Sequence, residues 1–206
     1  MPLALKHATV VKLLLIVSIS AAYGADKDAG VTFRPGPVES YAHRQSSEHV
    51  TVAAEEFETD EQARPAFGKH NPYKYGVLPV LLVVKNDTGK ALRLDHLRAV
   101  YVMPDNTRIE STPAGELHSL HGARQPKVVN SPLPGIGTRT SRGKQPLSQW
   151  EIEGRAFAAR VLPPGETASG FFYFQSGRKP GATLYLSGIQ EAATGRDLLY
   201  FEIPLS

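Results

Sequence analysis

The stretch YGVLPVLLVVKN, residues 75–86, decides how this chain of 206 residues is read. Along a strand, successive side chains point to opposite faces. Leu78, Val80, Leu82 and Val84 therefore share one face, and Val77, Leu81 and Val83 share the other. A strand that covers a core on one side alternates apolar with polar residues, and this one does not. It predicts a central strand buried on both faces. GFFYFQ, residues 170–175, repeats the peculiarity, with Phe171 and Tyr173 on one side and Phe172 and Phe174 on the other. The second face of each strand needs cover from a helix, from the leader before residue 49, or from a partner. An apolar face left open on a soluble protein marks an interaction site, so the identity of that cover bears on function.

Around these two segments the chain reads as short strands separated by turn residues. HVTVAAEEF, residues 49–57, puts Val50, Val52 and Ala54 on one face, the half-buried pattern. TDEQARPAFG, residues 59–68, predicts one short helix: Thr59 caps it, Gln62 occupies the capping-box position, Gly68 ends it and Pro65 limits its length. Asn86-Asp87-Thr88-Gly89 supplies turn chemistry after the central strand, and residues 97–110 read as a hairpin about Pro104-Asp105-Asn106. Leu162-Pro163-Pro164-Gly165 predicts a tight turn into the aromatic strand. After Trp150 strands are expected to resume, and the final one carries Leu199, Phe201, Ile203 and Leu205 on one face, joined to its predecessor by a hairpin at Ala193-Thr194-Gly195-Arg196. About seven short strands with Gly and Pro turns between them predict an all-β fold: an antiparallel immunoglobulin-like two-sheet sandwich with one short helix and a long loop insertion at 122–148. An up-and-down barrel is the alternative.

Lys6, His7 and Lys12 precede an apolar run over 13–22 and the small residues Ala22 and Gly24, the pattern of a secretory signal peptide over 1–24. The uninterrupted run is about half of the ~20 residues a membrane-crossing helix requires. An exported chain, periplasmic or extracellular, with no transmembrane span after processing is the expectation. Residues 25–48, polar and containing Pro35-Gly36-Pro37, read as a flexible leader with a short edge strand near 31–33, and 49–206 as the folded domain. With no cysteine, the domain is held by its apolar core rather than by disulfides. Removing Lys6 and Lys12 leaves 21 basic against 20 acidic residues, so charge offers no case for a nucleic-acid partner.

At GVLPVLLVVKNDTGKALRLDHLRAVYVMPDNTRIE and again at LPPGETASGFFYF the chain resembles small secreted bacterial proteins of unknown function with an immunoglobulin-like β-sandwich. In those, an apolar strand ends in an Asn-containing polar turn, and a Pro-Pro-Gly-Glu turn leads into an aromatic strand. The resemblance covers about 49–206 apart from the basic loop. It implies an exported binding or assembly module and carries no catalytic residues over, since a shared fold does not transfer a function.

Chemistry-bearing patterns are sparse. Within Glu116-Leu117-His118-Ser119-Leu120-His121, His118 and His121 are the candidate metal ligands, with His70 or His96 as a third donor brought in by folding. A zinc site needs three or four ligands, and a catalytic His-Glu-x-x-His places its Glu between the histidines, which this run does not. Two solvated loop histidines are the plainer reading. Ser141 and Ser169 sit in no nucleophile elbow, Glu55 and Glu56 are strand neighbours on opposite faces, and GIGTRTSRG lacks the strand and Lys-Ser/Thr of a phosphate loop. No cofactor is implied. The run 122–148 carries Arg124, Lys127, Arg139, Arg142 and Lys144 without one acid, a candidate contact for an anionic lipid headgroup, envelope phosphate or acidic protein, or else a solvated loop. The sequence thus reads as an exported, non-enzymatic binding or assembly module that contacts a protein or cell-envelope component. The alternative is a periplasmic metal-handling or hydrolytic protein using the histidine cluster.

Overall fold

The apolar stretch becomes strand β3 (Leu78–Asn86), and its side chains are buried on both faces. It lies second from the edge of a four-stranded antiparallel sheet formed with β1 (Arg44–Ser47), β2 (Val50–Glu56) and β8 (Thr167–Phe174), in the order β1-β2-β3-β8. Val84 opposes Val52 and Leu82 opposes Ala54 on one side; Leu81 opposes Phe171 on the other. A second four-stranded sheet has the order β11-β9-β5-β6, from β5 (Arg98–Val102), β6 (Arg108–Glu110), β9 (Thr183–Ser187) and β11 (Phe201–Pro204). Three two-residue strands, β4 (Leu92–Arg93), β7 (Val161–Leu162) and β10 (Gln190–Glu191), form a small third sheet whose Leu92 and Leu162 join the core between the other two. The computed structural model describes residues 33–69, 71–117, 149–198 and 200–205. The fold is an all-β antiparallel sandwich of the immunoglobulin-like type.

Two cores account for the two buried faces of β3. Leu78, Val80, Leu82 and Val84 meet Tyr101, Leu184, Leu186, Phe201 and Ile203 of the facing sheet. Val77, Leu81 and Val83, with Phe171 and Tyr173, meet a layer of helices. The first of these, α1 (Asp60–Phe67), has the expected capping box: the Thr59 hydroxyl accepts from the Gln62 backbone N–H, and the Gln62 side chain accepts from the Thr59 N–H. It delivers Ala63, Ala66 and Phe67 to the sheet, with the Phe67 and Phe171 rings 4.8 Å apart. Leu117 completes the layer together with Ile152 of a second helix, α2 (Gln149–Arg155), whose Ile152 carbonyl accepts from the Tyr173 hydroxyl at 2.8 Å.

Several sequence expectations need correction here. Helix α2 occupies part of the stretch where strands were expected to resume, because Ile152 is needed to cover β8. The strands among the described residues number eleven, since short polar pairs such as Gln190–Glu191 carry no apolar alternation. Residues 33–48, assigned by composition to the leader, are folded: Val38 is buried in the second core, Phe33 packs on Phe57 and Phe171, and β1 pairs with β2. The outer faces of β3 and β8, which could have met a partner, are covered by α1, α2 and this segment.

Polar groups lock the ends of the sheet. Asn86, fully buried, points its Nδ2 at the carbonyls of Lys90, Leu162 and Pro163 at 2.7–3.0 Å, and its Oδ1 accepts from Thr88. Its main chain pairs with Gly165 and Glu166, so one residue ties the turn after β3 to the Pro-Pro-Gly turn before β8. A side chain at Gly170 would place Cβ 2.4 Å from the Phe157 Cα, where the chain leaving α2 crosses β8 and the Phe157 N–H bonds the Phe171 carbonyl.

Two outcomes follow from this packing. Leu81→Ala, on the helix side of β3, is expected to lower unfolding free energy by about 2–5 kcal/mol in urea denaturation, as buried Leu truncations do; a loss under about 1 kcal/mol would mean that the helices do not cover this face. Gly170→Val is expected to abolish soluble expression or lower the thermal midpoint sharply, because backbone rather than a movable side chain occupies the space.

Candidate functional site

Two polar arrangements among the described residues bear on function. At the end of β2, Glu56 takes the inward position of the alternation that buries Val50, Val52 and Ala54, and is only 7% exposed. Its Oε1 accepts from the Tyr101 hydroxyl at 3.0 Å, and its Oε2 accepts from Arg178 Nε at 2.9 Å. Glu58 lies 3.7 Å from the same guanidinium nitrogen. Burial pushes the Glu56 carboxyl above its ordinary value, against the lowering effect of Arg178 and Tyr101, and burial likewise raises the Tyr101 hydroxyl, which stays a neutral donor. The backbone N–H of Arg178 donates to the Tyr73 hydroxyl and that of Lys179 to the Tyr101 hydroxyl, at 3.2 and 2.8 Å. A groove of about 470 Å³ runs beside Glu56. Chemically the arrangement is a clamp that fastens the loop between β8 and β9 onto the sandwich.

The second site is the outer face of the β11-β9-β5-β6 sheet. The inward residues of β9, Leu184 and Leu186, are buried, so Thr183, Tyr185 and Ser187 face out. Tyr200, next to Phe201, is 52% exposed and stacks on Tyr185 with ring centroids 5.2 Å apart and planes 27° apart. The Arg108 guanidinium lies 6.0 Å from the Tyr185 ring, within cation–π range. Arg98, exposed on β5, opposes Ser187 and has no side-chain partner among the described residues. A groove of about 460 Å³ runs from these residues to Gln190 and Asp197. There Gln190 accepts from Arg93 and donates to Asp197 Oδ1 at 2.8 Å, so the Asp197 carboxylate is held in place.

Sequence reasoning placed neither site. The inward position of Glu56 follows from the Val50-Val52-Ala54 alternation, but its partner Arg178 lies 122 residues downstream, a separation that no local pattern bridges. The outward direction of Tyr200 was implied by putting Phe201 inside; that it meets Tyr185 depends on the register Phe201 to Leu186. The metal candidates His118, His121 and His70, and the basic candidates Arg124, Lys127, Arg139, Arg142 and Lys144, lie outside the described residues. His96 lies inside them, 3.8 Å from Asp95 at the rim of the second groove. Among the described residues no three His, Asp or Glu side chains converge as a metal site, and no helix is long and apolar enough to cross a membrane.

No family model matches the chain. No curated protein matches it in sequence. Among the solved structures that resemble it, two illustrate how weak the likeness is. One is a structural genomics consortium target, SoR45, with 8% identity over 78% of this chain and 90% of that one and a TM-score of 0.33. The other is MPT63, a secreted protein from Mycobacterium tuberculosis, with 12% identity over 83% and 98% of the two chains and a TM-score of 0.32. Neither likeness defines a family.

The clamp has a pH signature. Because the folded-state carboxyl of Glu56 is raised above 4.5, its contribution to stability is present below the unfolded value and is lost as pH rises through the folded one. Glu56→Gln removes that dependence. The stability of the variant relative to wild type should therefore shift in favour of the variant between about pH 4 and about pH 7, read from urea midpoints. A shift the other way would mean that Arg178 outweighs burial.

Proposed function

We propose that this chain is an exported, non-enzymatic binding module that contacts a protein or a component of the cell envelope, in the periplasm or outside the cell. The observation that carries this reading is the outer face of the β11-β9-β5-β6 sheet. Among the described residues, Tyr200 and Val161 are the large apolar side chains left exposed, and Tyr200 is backed by Tyr185 with Arg98 and Arg108 alongside. Tyrosine and arginine on a rigid element are the residue types that dominate binding energy at interfaces. The covered outer faces of β3 and β8 leave this sheet as the accessible face with that composition. Export rests on the basic, apolar and small-residue pattern of residues 1–24. The basic run at 122–148, with Arg124, Lys127, Arg139, Arg142 and Lys144, is proposed as a second contact for an anionic partner.

Capture from the envelope fraction of the source cell tests this. Wild-type protein should retain a defined component, and Tyr200→Ala combined with Arg98→Ala should lower its recovery about 10-fold with the thermal midpoint unchanged. Equal recovery by the double variant would remove the sheet face as the contact. Stoichiometric zinc or copper in untagged protein, lost in His118→Ala, would replace this reading with the metal-handling one.

A further inference from the structure

We propose that the groove between β9 and the Gln190–Asp197 bridge binds a carboxylated sugar, a uronic-acid unit of a polysaccharide; this rests on the binding-module reading and names its ligand class. A pyranose ring has an apolar C–H face and a rim of hydroxyls, so a site for it needs an exposed aromatic plane together with fixed donors and acceptors. The groove has each of these. Tyr200 supplies the plane, and it is held from beneath by Tyr185, itself flanked by Arg108. A ring restrained in this way loses little freedom on binding, which favours affinity. Asp197 is the acceptor, its Oδ1 bonded by a Gln190 side chain that Arg93 in turn orients. The remaining carboxylate oxygen is available to sugar hydroxyls.

The acidic character of the ligand comes from Arg98. Arg98 lines the same groove, is solvent-exposed and has no carboxylate or carbonyl partner among the described residues. Arg196 and the half-buried Arg178, by contrast, are engaged, the first by Glu48 and the second by Glu56. A free planar fork beside an aromatic plane matches a sugar carboxylate in two parallel hydrogen bonds. Glu202, on the same sheet face, does not line the groove. The volume of about 460 Å³ falls in the range of small-ligand sites. An acidic peptide would satisfy Arg98 but offers no flat C–H face for Tyr200, and a neutral glucan would use Tyr200 but leave Arg98 unpaired.

Isothermal titration of the mature protein with tetragalacturonide, cellotetraose and tetraglutamate tests the assignment. The uronide is expected to bind at least about 10-fold more tightly than either of the others. Tyr200→Ala and Arg98→Ala should each weaken it by about 10-fold or more with unchanged unfolding midpoints, and Arg98→Lys, which keeps charge but loses the fork, should restore only part of the loss. Absent binding, equal binding of cellotetraose or tetraglutamate, or binding unaffected by either variant would overturn the proposal. If the uronide fails while Tyr200→Ala still lowers capture from the envelope, the sugar is wrong and the binding-module reading stands.

Discussion

Strand β3 has no solvent side, and the architecture answers that constraint. Seven Leu and Val side chains within 77–84 have to leave water, each contributing about 1.5–3 kcal/mol when fully buried. One sheet can shield only one face. The helices α1 and α2, with Val38 and Leu117, supply the other, so the molecule is built in three layers rather than the two of a plain sandwich. With no cysteine to cross-link it, the chain relies on this double burial for its stability.

Buried polar groups then set the geometry of what the apolar layers hold together. Asn86 joins two turns at one end of the first sheet, and Glu56 with Tyr101 and Arg178 joins the loop after β8 to the other. Each is satisfied by partners, which is the condition under which buried polar groups specify a structure rather than weaken it. Tyr101 belongs to β5, the strand whose outer side presents Arg98. The clamp inside the sandwich therefore steadies the strand that carries part of the exposed face, and rigid support is what a binding surface on a sheet requires.

Much of the scaffold was legible in the sequence, and for local reasons. The two-faced apolar runs announced the central strands, and Thr59 with Gln62 announced α1, because each signal lies within a few residues of what it shapes. Elements that depend on distant contacts were not legible. Arg44–Ser47 carries no apolar alternation and forms a strand only because β2 offers it a free edge. In Gln149–Arg155 the buried Ile152 is the described apolar side chain that reaches the core, and its helical role is set by β8. The candidate groove escaped notice for the same reason: Arg98, Tyr185 and Asp197 become neighbours through strand pairing.

The layering also gives the molecule a front and a back. Phe33, Leu117 and Ile152 all pack in the helix layer. Tyr200 and Arg98 lie beyond the opposite sheet. A body attached through its helix layer would present the opposite sheet to its surroundings. Such a body can be displayed in many copies with its face outward, and weak individual contacts then gain strength from number rather than from any change in the face itself.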